Sequence, residues 1–323
     1  MSGDPIFEIT GTRGWVGGHT GMVGSGVVRR LESEDIGELI TARSSEVDLR
    51  RQDATERFVE DTRPEVAIIA AARVGGIHAN RSAQADFLYD NVLIAMNSLR
   101  ACQLAGVEKV AVLGSSCIYP AEADQPMREE YLLTGPLEAT NEGYAVAKIA
   151  ALEYGKMLRH QYDMDVISLM PTNLYGPGDN YDLETSHVLP ALLRKTHEAK
   201  VSDSPTLTLW GSGRPRREFL HVDDLADAVV FALKNYSGAD HLNVGTGEDV
   251  SILELARLIG RIVGWDGDYV FDSSMPDGVM RKLLDVSRMR KLGWEASIPL
   301  EAGIESTYRS FLEETVAKQA EIS

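Results

Sequence analysis

"ITGTRGWVGGHTGMVGSGVVRRL", residues 9 to 31, contains a glycine-spaced pattern typical of phosphate-binding turns twice over, in two registers. The two sets follow one another directly: Gly11, Gly14, Gly17 and then Gly18, Gly21, Gly24. Only one of them can occupy the turn between a first strand and a first helix, where a dinucleotide pyrophosphate binds. The choice of register therefore decides how the rest of the chain is interpreted.

The second set fits the turn better. A phosphate-binding turn needs a helix after it, whose free N–H groups face the anion. The stretch "GHTG" after Gly17 cannot sustain a helix, whereas apolar residues after Gly21 recur at helical spacing. Upstream the evidence is weaker, because "PIFEI" is a better strand by propensity than "GWVG". We predict the turn over Gly18–Gly24 and a flexible leader around Gly11 and Gly14.

The first half of the chain alternates short apolar runs with amphipathic stretches, as βαβ units do. We expect an α/β protein, with a Rossmann-type doubly wound parallel sheet in residues 1–172 and 217–250 and a second, smaller α/β substrate domain in 173–216 and 251–323. The predicted strands are Trp15–Gly17, Glu38–Thr41, Val66–Ala70, Lys109–Gly114, Val166–Met170 and a return strand in "HLNVG". The predicted helices are Val23–Ser33, Ala54–Thr62, Ala85–Ala105, Glu142–His160, Val188–Ala199 and His221–Asn235.

Composition limits the classes of partner. The 323 residues are 44% hydrophobic and 25% charged, without an apolar run long enough to span a membrane. A formal net charge of −17 repels nucleic acid and anionic lipid surfaces, so we expect neither as a partner. The N-terminus lacks the features of a secretory signal, and two cysteines suit a reducing compartment, so we expect a cytoplasmic protein. We expect no metal site.

Arg43 and Ser44 follow the second predicted strand. An NAD site usually has an acidic residue there, against the ribose 2′-hydroxyl. Cationic and hydroxyl donors suit a 2′-phosphate instead, so the sequence favours NADP over NAD. The alternative is that Arg43 is an ordinary surface arginine in a loop.

Tyr144 and Lys148 are four residues apart on a predicted helix and therefore project from one face. A nearby ammonium group favours the phenolate and lowers the pKa of a tyrosine, which suits proton transfer. Taken alone, this spacing is usually a solvated helix face. It gains weight from Ser115, Ser116 and Cys117, which follow an apolar strand at the position where strand ends meet ligands.

These motifs together resemble the extended short-chain dehydrogenase/reductase superfamily. In order along nearly the whole chain, eight segments resemble the GDP-L-fucose synthase family: "GHTGMVGS", "AAARVGGIHAN", "LGSSCIYP", "PTNLYGPGDN", "SHVLPALLRK", "WGSGRPRREFLHVDDLADA", "LNVGTG" and "PDGVMRKLLDV". The resemblance implies an NADP(H)-dependent enzyme that epimerises a GDP-4-keto-6-deoxy sugar at C3 and C5 and reduces it at C4. It also implies a homodimer, in which Ala85–Ala105 and Glu142–His160 pair across a two-fold axis.

The resemblance also implies roles for individual residues. Cys117 and His187 match the family's acid and base for epimerisation, Tyr144 protonates the C4 oxygen, Lys148 holds the nicotinamide ribose, and Ser115 steadies the oxygen. The further cofactor positions are Gly18, His19, Thr20, Gly21, Met22, Val23, Gly24, Arg43, Ser44, Leu113, Gly114, Ser116, Pro171, Thr172, Asn173 and Leu174, with His187 among them. The substrate positions are Lys195, Trp210, Arg217 and Asp277.

Other interpretations remain for the same residues. Cys117 could be buried packing, His187 a residue of a helix cap, Trp210 a core aromatic, and Arg217 half of a surface ion pair. Another epimerase or dehydratase of the superfamily would not use Cys117 and His187, although "SSCIYP" lacks the acidic pair of a dehydratase. A non-catalytic dinucleotide-binding scaffold would have no need for all five catalytic candidates.

The chain departs from the family pattern at a few positions. Thr20 stands where the family commonly has Arg, which places more weight on Arg43 for recognition of the 2′-phosphate. Met275, Val279 and Met280 replace an expected Lys, Thr and Pro. The segment before Trp15 is longer than the family's usual start.

Overall fold

The structure, a computed structural model, describes residues 5–274 and 277–322, so Met275 lies outside the described residues. The strands are β1 (Arg13–Gly17), β2 (Glu38–Ile40), β3 (Val66–Ile69), β4 (Lys109–Leu113), β5 (Asp165–Pro171), β6 (Asn173–Tyr175), β7 (Thr206–Trp210), β8 (Arg216–Arg217), β9 (Phe219–His221), β10 (Leu242–Val244), β11 (Val250–Ser251), β12 (Asp268–Asp272) and β13 (Arg281–Lys282). The helices are α1 (Met22–Glu32), α2 (Gln52–Thr62), α3 (Ile77–Ser82), α4 (Gln84–Ala105), α5 (Glu142–Tyr162), α6 (Val188–Val201), α7 (Val222–Asn235), α8 (Ile252–Val263), α9 (Ser287–Leu292) and α10 (Leu300–Ile322).

Six parallel strands form the main sheet, in the order β10-β5-β4-β3-β1-β2. Every residue of β3 and β4 is buried, as expected for central strands covered by helices on both faces. The predicted strands and helices of this half are confirmed, with ends that differ by no more than two residues. The doubly wound parallel sheet is therefore confirmed as well.

The glycine register is settled by the order of strand, turn and helix. β1 ends at Gly17, the turn runs from Gly18 to Gly21, and α1 begins at Met22. Gly18 has a φ of +85°, and a Cβ there would lie 2.7 Å from the Cα of Ala71 after β3, so the turn requires glycine. The second glycine set is confirmed as the one that precedes a helix.

The leader before β1 is packed against the protein, which differs from the flexible leader expected from the sequence. The backbone N–H of Ile6 donates to the carbonyl of Lys234 at 2.7 Å, and Ile9 is fully buried in the core between the sheet and α1 and α7. Gly14 lies within β1, and Gly11 donates to the Asp35 carbonyl. Burial of Ile9 supplies the apolar contact that holds the segment in place.

The second half builds a smaller unit from short sheets and three helices. The sequence analysis named none of the strands β6 to β9 and β11 to β13. The strand β6, inside a stretch predicted to be loop, pairs with β9, and β7 pairs with β12. The helices α6, α8 and α10 enclose a separate apolar cluster. Ser251 caps α8 through a reciprocal capping box with Glu254, and Gly264 ends it in a left-handed conformation.

The long helices α4 and α5 lie side by side against the main sheet, and several of their apolar side chains stay exposed, among them Tyr89, Val146 and Met157. The C-terminal stretch returns to the first unit, where Met289 and Trp294 join the core beneath the main sheet. The domain boundaries drawn from the sequence stay a prediction. Within the described residues, no helix has the length and apolar character needed to cross a membrane.

Candidate active site

The predicted cofactor residues lie where strands of the main sheet end. The Gly18–Gly24 turn follows β1, Arg43 and Ser44 follow β2, Leu113 to Ser116 close β4, and Pro171 closes β5. Because the strands are parallel, these carboxyl ends share one edge of the sheet, which is where open α/β sheets bind ligands. The remaining members, Thr172, Asn173 and Leu174, continue from β5 into β6, and the first two donate side-chain hydrogen bonds to the Glu218 carbonyl.

The turn after β1 has the shape of a cradle for a diphosphate. A Cβ on Gly24 would lie 2.0 Å from the carbonyl oxygen of Gly18, so the helix and the turn approach as closely as glycine allows. A Cβ on Gly21 would meet only that oxygen, at 3.6 Å, so the space in front of it is open. Gly21 caps α1 without any side-chain bond to the first amides. The free amides and the open space fit a pyrophosphate.

Around this cradle the side chains differ in accessibility. Thr20, Arg43 and Ser44 are exposed, and the Arg43 backbone N–H donates to Glu46 at 2.7 Å. Met22 and Val23 open the helix, half-buried. His19 has a buried Nδ1 that no group among the described residues hydrogen-bonds. An unsatisfied buried nitrogen beside a phosphate cradle is suited to a ligand contact.

Ser115 and Cys117 are held by a single 3-10 turn, Ser116–Ile118, directly after β4. The Ser115 hydroxyl accepts the backbone N–H of Cys117 at 3.3 Å and so caps that turn. Cys117 is half-buried, with a free thiol, whereas Cys102 is fully buried in the packing of α4. Burial raises the pKa of the Cys102 thiol, so that residue is inert packing.

Tyr144 and Lys148 share one face of α5, next to this turn. The Lys148 ammonium donates to the Leu113 carbonyl at 2.8 Å and lies 5.6 Å from the centre of the Tyr144 ring. Burial lowers the pKa of Lys148 to about 8 and raises the pKa of Tyr144. Cys117 raises the pKa of Tyr144 further, and a hydrogen bond with Ser115 opposes both effects.

The pKa of Tyr144 changes in the direction opposite to that expected from the sequence, where Lys148 lowers this pKa. The Lys148 ammonium donates to the Leu113 carbonyl, and burial has the largest effect on the pKa of Tyr144. The phenol therefore keeps its proton near neutral pH, which is the form that donates to a carbonyl oxygen.

His187 caps the N-terminus of α6 through its backbone, on a loop whose Thr185 carbonyl accepts the Gly76 N–H at 2.7 Å. The residue is exposed to solvent, yet the protein around its ring lowers the pKa by desolvation. Within residues 5–274 and 277–322, no hydrogen bond joins its ring to Ser115, Cys117, Tyr144 or Lys148.

The four predicted substrate residues lie close to one another in the smaller unit. The Lys195 ammonium on α6 lies 4.9 Å from the centre of the Trp210 ring, which is 56% exposed and thus not a core aromatic. Asp277 accepts the Ser212 N–H at 2.6 Å, and hydrogen bonding with Ser212 lowers the pKa of the Asp277 carboxyl. Gly278, the residue after Asp277, lies close to Arg217, because a Cβ on Gly278 would be 3.7 Å from the Arg217 guanidinium. Burial lowers the pKa of Arg217, whose guanidinium bonds the Arg216 carbonyl rather than a surface carboxylate.

Two residues that the sequence argument missed belong to this region. The Asn141 side-chain amide donates to the Cys117 sulfur at 3.3 Å. The negative charge of Glu138 partly opposes the lowering of the Arg217 pKa by burial. Asn141 stands three residues before Tyr144, but a polar residue ahead of a helix is ordinarily a cap. Nothing in its spacing distinguishes the two roles.

Residues 15–245 match the NAD dependent epimerase/dehydratase family. The GDP-L-fucose synthase of Sinorhizobium fredii is 51% identical over 308 residues, which cover 95% of this chain and 98% of that protein. Among solved structures, a GDP-6-OMe-4-keto-L-xylo-heptose reductase from C. jejuni is 32% identical with a TM-score of 0.91, covering 97% of this chain and all of that one. A GDP-L-fucose synthetase from Naegleria fowleri bound to NADP is 30% identical with a TM-score of 0.89, covering 98% of each chain. The chain therefore belongs to the NAD dependent epimerase/dehydratase family and, within it, to the GDP-L-fucose synthase family.

Proposed function

We propose that this chain converts GDP-4-keto-6-deoxy-D-mannose to GDP-L-fucose, by epimerisation at C3 and C5 and NADPH-dependent reduction at C4. One observation carries the proposal: the half-buried thiol of Cys117, the half-buried phenol of Tyr144 and the buried Lys148 share a single site at the end of β4. A reductase needs only the pair. The thiol adds a group that can exchange protons beside the same sugar ketone.

The residues that would hold NADPH form a continuous edge of the sheet. The Gly18–Gly24 turn and the free amides of α1 suit the pyrophosphate, and Arg43 with Ser44 suits the 2′-phosphate. When bound, NADPH supplies the hydride for C4. Thr20 offers no positive charge here, so the selection for the 2′-phosphate rests on Arg43.

In the reduction, Tyr144 gives its proton to the C4 oxygen. Burial keeps the phenol protonated near neutral pH, and Ser115 steadies the oxygen from the adjacent turn. The backbone carbonyl that accepts from Lys148 fixes the ammonium beside the ring. Lys148 is buried and Tyr144 and Ser115 are half-buried, so water screens a charge that develops on the oxygen less than it would in solution.

In the epimerisation, Cys117 and His187 act as base and acid at the carbons next to the ketone. Those C–H bonds are acidic because the electron pair passes into the carbonyl as an enolate. Desolvation lowers the pKa of His187, so its protonated ring is a stronger acid than an ordinary imidazolium. Removal of the proton from one face and return to the other inverts the carbon.

The GDP end of the substrate belongs with Lys195, Trp210, Arg217 and Asp277. Lys195 and Arg217 bring positive charge to a strongly acidic protein, and the exposed indole of Trp210 offers a flat apolar surface. Diphosphate and base recognition require groups of this kind.

A second candidate is a GDP-sugar C4 reductase without epimerase activity. The likeness to the C. jejuni reductase, with a TM-score of 0.91, favours it. In such an enzyme Tyr144 and Lys148 would act and the Cys117 thiol would be incidental.

The test mixes protein, NADPH and the keto sugar nucleotide, follows the absorbance of NADPH, and identifies the product. Deuterium incorporation from D₂O at C3 and C5 then separates the two chemistries. We expect Cys117→Ser to lose exchange and keep NADPH binding, and Tyr144→Phe to lose reduction while it keeps exchange. Normal exchange in a Cys117→Ser, His187→Ala double variant would contradict the assignment of epimerisation to these two residues, whereas absence of exchange in the wild-type protein would leave the second candidate.

The proposal extends to a cytoplasmic homodimer. Both cysteines are free thiols, which suits a reducing compartment. The exposed apolar side chains Tyr89 on α4 and Val146 and Met157 on α5 offer a surface for a second copy. Sedimentation velocity tests the dimer, and Met157→Glu is expected to weaken it.

A further inference from the structure

Asn141 precedes α5 at the position where an asparagine usually caps a helix, but it does not cap this one. Its side chain bonds none of the first amides of α5 and points instead to the Cys117 sulfur, 3.3 Å away. Its Oδ1 atom is buried and has no hydrogen-bond partner among the described residues. An asparagine that does not cap its helix, and whose side-chain oxygen has no hydrogen-bond partner, lowers stability locally. The arrangement therefore points to a role in the site.

The backbone around Asn141 is held from both sides. The Gln84 side chain donates to the Ala139 carbonyl at 2.9 Å and accepts the Gly143 N–H at 3.1 Å. A Cβ on Gly143 would lie 2.4 Å from the Gln84 carbonyl oxygen, so the loop and α4 are in close contact. A side chain on a loop fixed in this way can set the direction of its partner.

The titratable groups that interact with the Cys117 sulfur are Tyr144 and Lys148, both on α5. Lys148 is bonded to the Leu113 carbonyl, and Tyr144 is a neutral phenol near neutral pH. The Ser115 hydroxyl accepts the Cys117 backbone N–H rather than donating to its sulfur. The Asn141 amide is thus the neutral hydrogen-bond donor placed on the thiol.

We propose that Asn141 is a positioning residue that directs the Cys117 sulfur and stabilises its thiolate for proton removal beside the sugar ketone. The inference rests on the proposed function, in which Cys117 is the base. A hydrogen bond to the charged form of a group favours that form, and an amide N–H donates to a thiolate better than to a thiol.

The proton transfer is balanced within the site. The thiolate takes the proton from the carbon, and the electron pair of the broken C–H bond passes to the ketone oxygen as an enolate. Protonated His187 gives a proton to the opposite face and becomes neutral, while the new Cys117 thiol returns its proton through solvent. Asn141 donates throughout and transfers no proton.

The first test measures the thiol without substrate or cofactor. Alkylation of Cys117 by iodoacetamide is followed against pH by peptide mass spectrometry, and the buried Cys102 serves as the unreactive internal control. We expect Asn141→Ala to move the midpoint of the profile up by about one pH unit, which slows alkylation about tenfold near pH 7. Asn141→Asp keeps the shape and replaces the donor by an anion, so it should move the midpoint at least as far.

The matched control is Thr140→Ala, because the Thr140 hydroxyl bonds Glu138 and not the sulfur. It should leave the alkylation profile unchanged. Circular dichroism of each variant verifies the fold. An unchanged profile in both Asn141 variants overturns the inference, because the sulfur would then not depend on the amide.

The second test measures deuterium exchange into the keto sugar nucleotide in D₂O with NADP⁺. We expect Asn141→Ala to slow exchange about tenfold near pH 7 and to approach the wild-type rate at about pH 9.5, where the thiolate forms without help. Equal slowing at both pH values overturns the inference, since a merely structural defect is not rescued by pH. Normal exchange in Cys117→Ser overturns instead the assignment of Cys117 as the base in the proposed function, so the two failures are distinguishable.

Discussion

Gly24→Ala tests the glycine register that decides the fold. The added Cβ would lie 2.0 Å from the Gly18 carbonyl oxygen, 2.6 Å from the Gly18 carbonyl carbon and 2.8 Å from the His19 Cα. All three are backbone atoms of the turn, and ordinary contact begins near 3.4 Å. The turn must therefore move by more than about 1 Å, which costs about 1–3 kcal/mol of unfolding free energy, as overpacking does.

The same movement displaces the amides that would face the pyrophosphate. We expect the Kd for NADPH to rise at least about tenfold, or about 1.4 kcal/mol. Fluorescence titration with NADPH gives the Kd, and urea denaturation without cofactor gives the unfolding free energy.

Two control variants separate the effects. Gly21→Ala places its Cβ 3.6 Å from the Gly18 oxygen, an ordinary contact, so it should leave stability nearly unchanged and still weaken NADPH binding by filling the open space. Gly11→Ala meets nothing within 4 Å but must adopt a φ of +74°, so it should cost about 1–2 kcal/mol of stability without a change in Kd. If Gly11→Ala weakened NADPH binding as much as Gly24→Ala, the register would be wrong.

Two further predictions concern charge. Arg43→Ala should raise the KM for NADPH about tenfold and leave the KM for NADH unchanged, because a guanidinium bond to the 2′-phosphate is lost only with NADPH. Steady-state kinetics with both cofactors measures the two KM values. An equal rise in the KM for NADH would contradict the role of Arg43 in selecting the 2′-phosphate. Because burial lowers the pKa of Lys148 to about 8, the folded protein binds fewer protons than the unfolded chain from about pH 8 to the ordinary lysine value near 10.5, so this group makes stability rise with pH in that window. Urea denaturation at about pH 7 and pH 9.5 should show a smaller rise in Lys148→Met, and an identical rise in both proteins would refute the pKa.

The parts of the fold that could be predicted are those where a local pattern and the tertiary structure agree. The strand, turn and helix around Gly18–Gly24 follow from the absence of a helix after Gly17 and its presence after Gly21. Strands such as β4 read as continuous apolar runs because helices cover both of their faces. In contrast, β6 is three residues long within a loop-like stretch, and its pairing with β9 depends on a contact made across 46 positions of sequence, from Asn173 to Phe219.

The residues of the site likewise include some that a local sequence pattern predicts and some features that depend on tertiary packing. Ser115, Cys117, Tyr144 and Lys148 could be found because strand ends and helical spacing place them, and the resemblance gave them roles. The bond from Asn141 to sulfur, the raised pKa of Tyr144 and the contact of Lys148 with the Leu113 carbonyl depend on burial and side-chain direction. Those quantities arise only when distant segments pack, so no spacing in the sequence encodes them.

The anchored leader also bears on how the protein is handled in the laboratory. The backbone N–H groups of Ile6 and Phe7 donate to the Lys234 carbonyl at the end of α7, the Lys109 ammonium lies 5.7 Å from the centre of the Phe7 ring, and Ile9 fills part of the core. An expression vector that starts the chain at β1 would delete the buried Ile9 side chain and leave a void that costs about 2–5 kcal/mol of unfolding free energy. Affinity tags are therefore better joined ahead of the leader than substituted for it, and a cleavage site for their removal belongs on the outer side of Ile6, which is itself exposed.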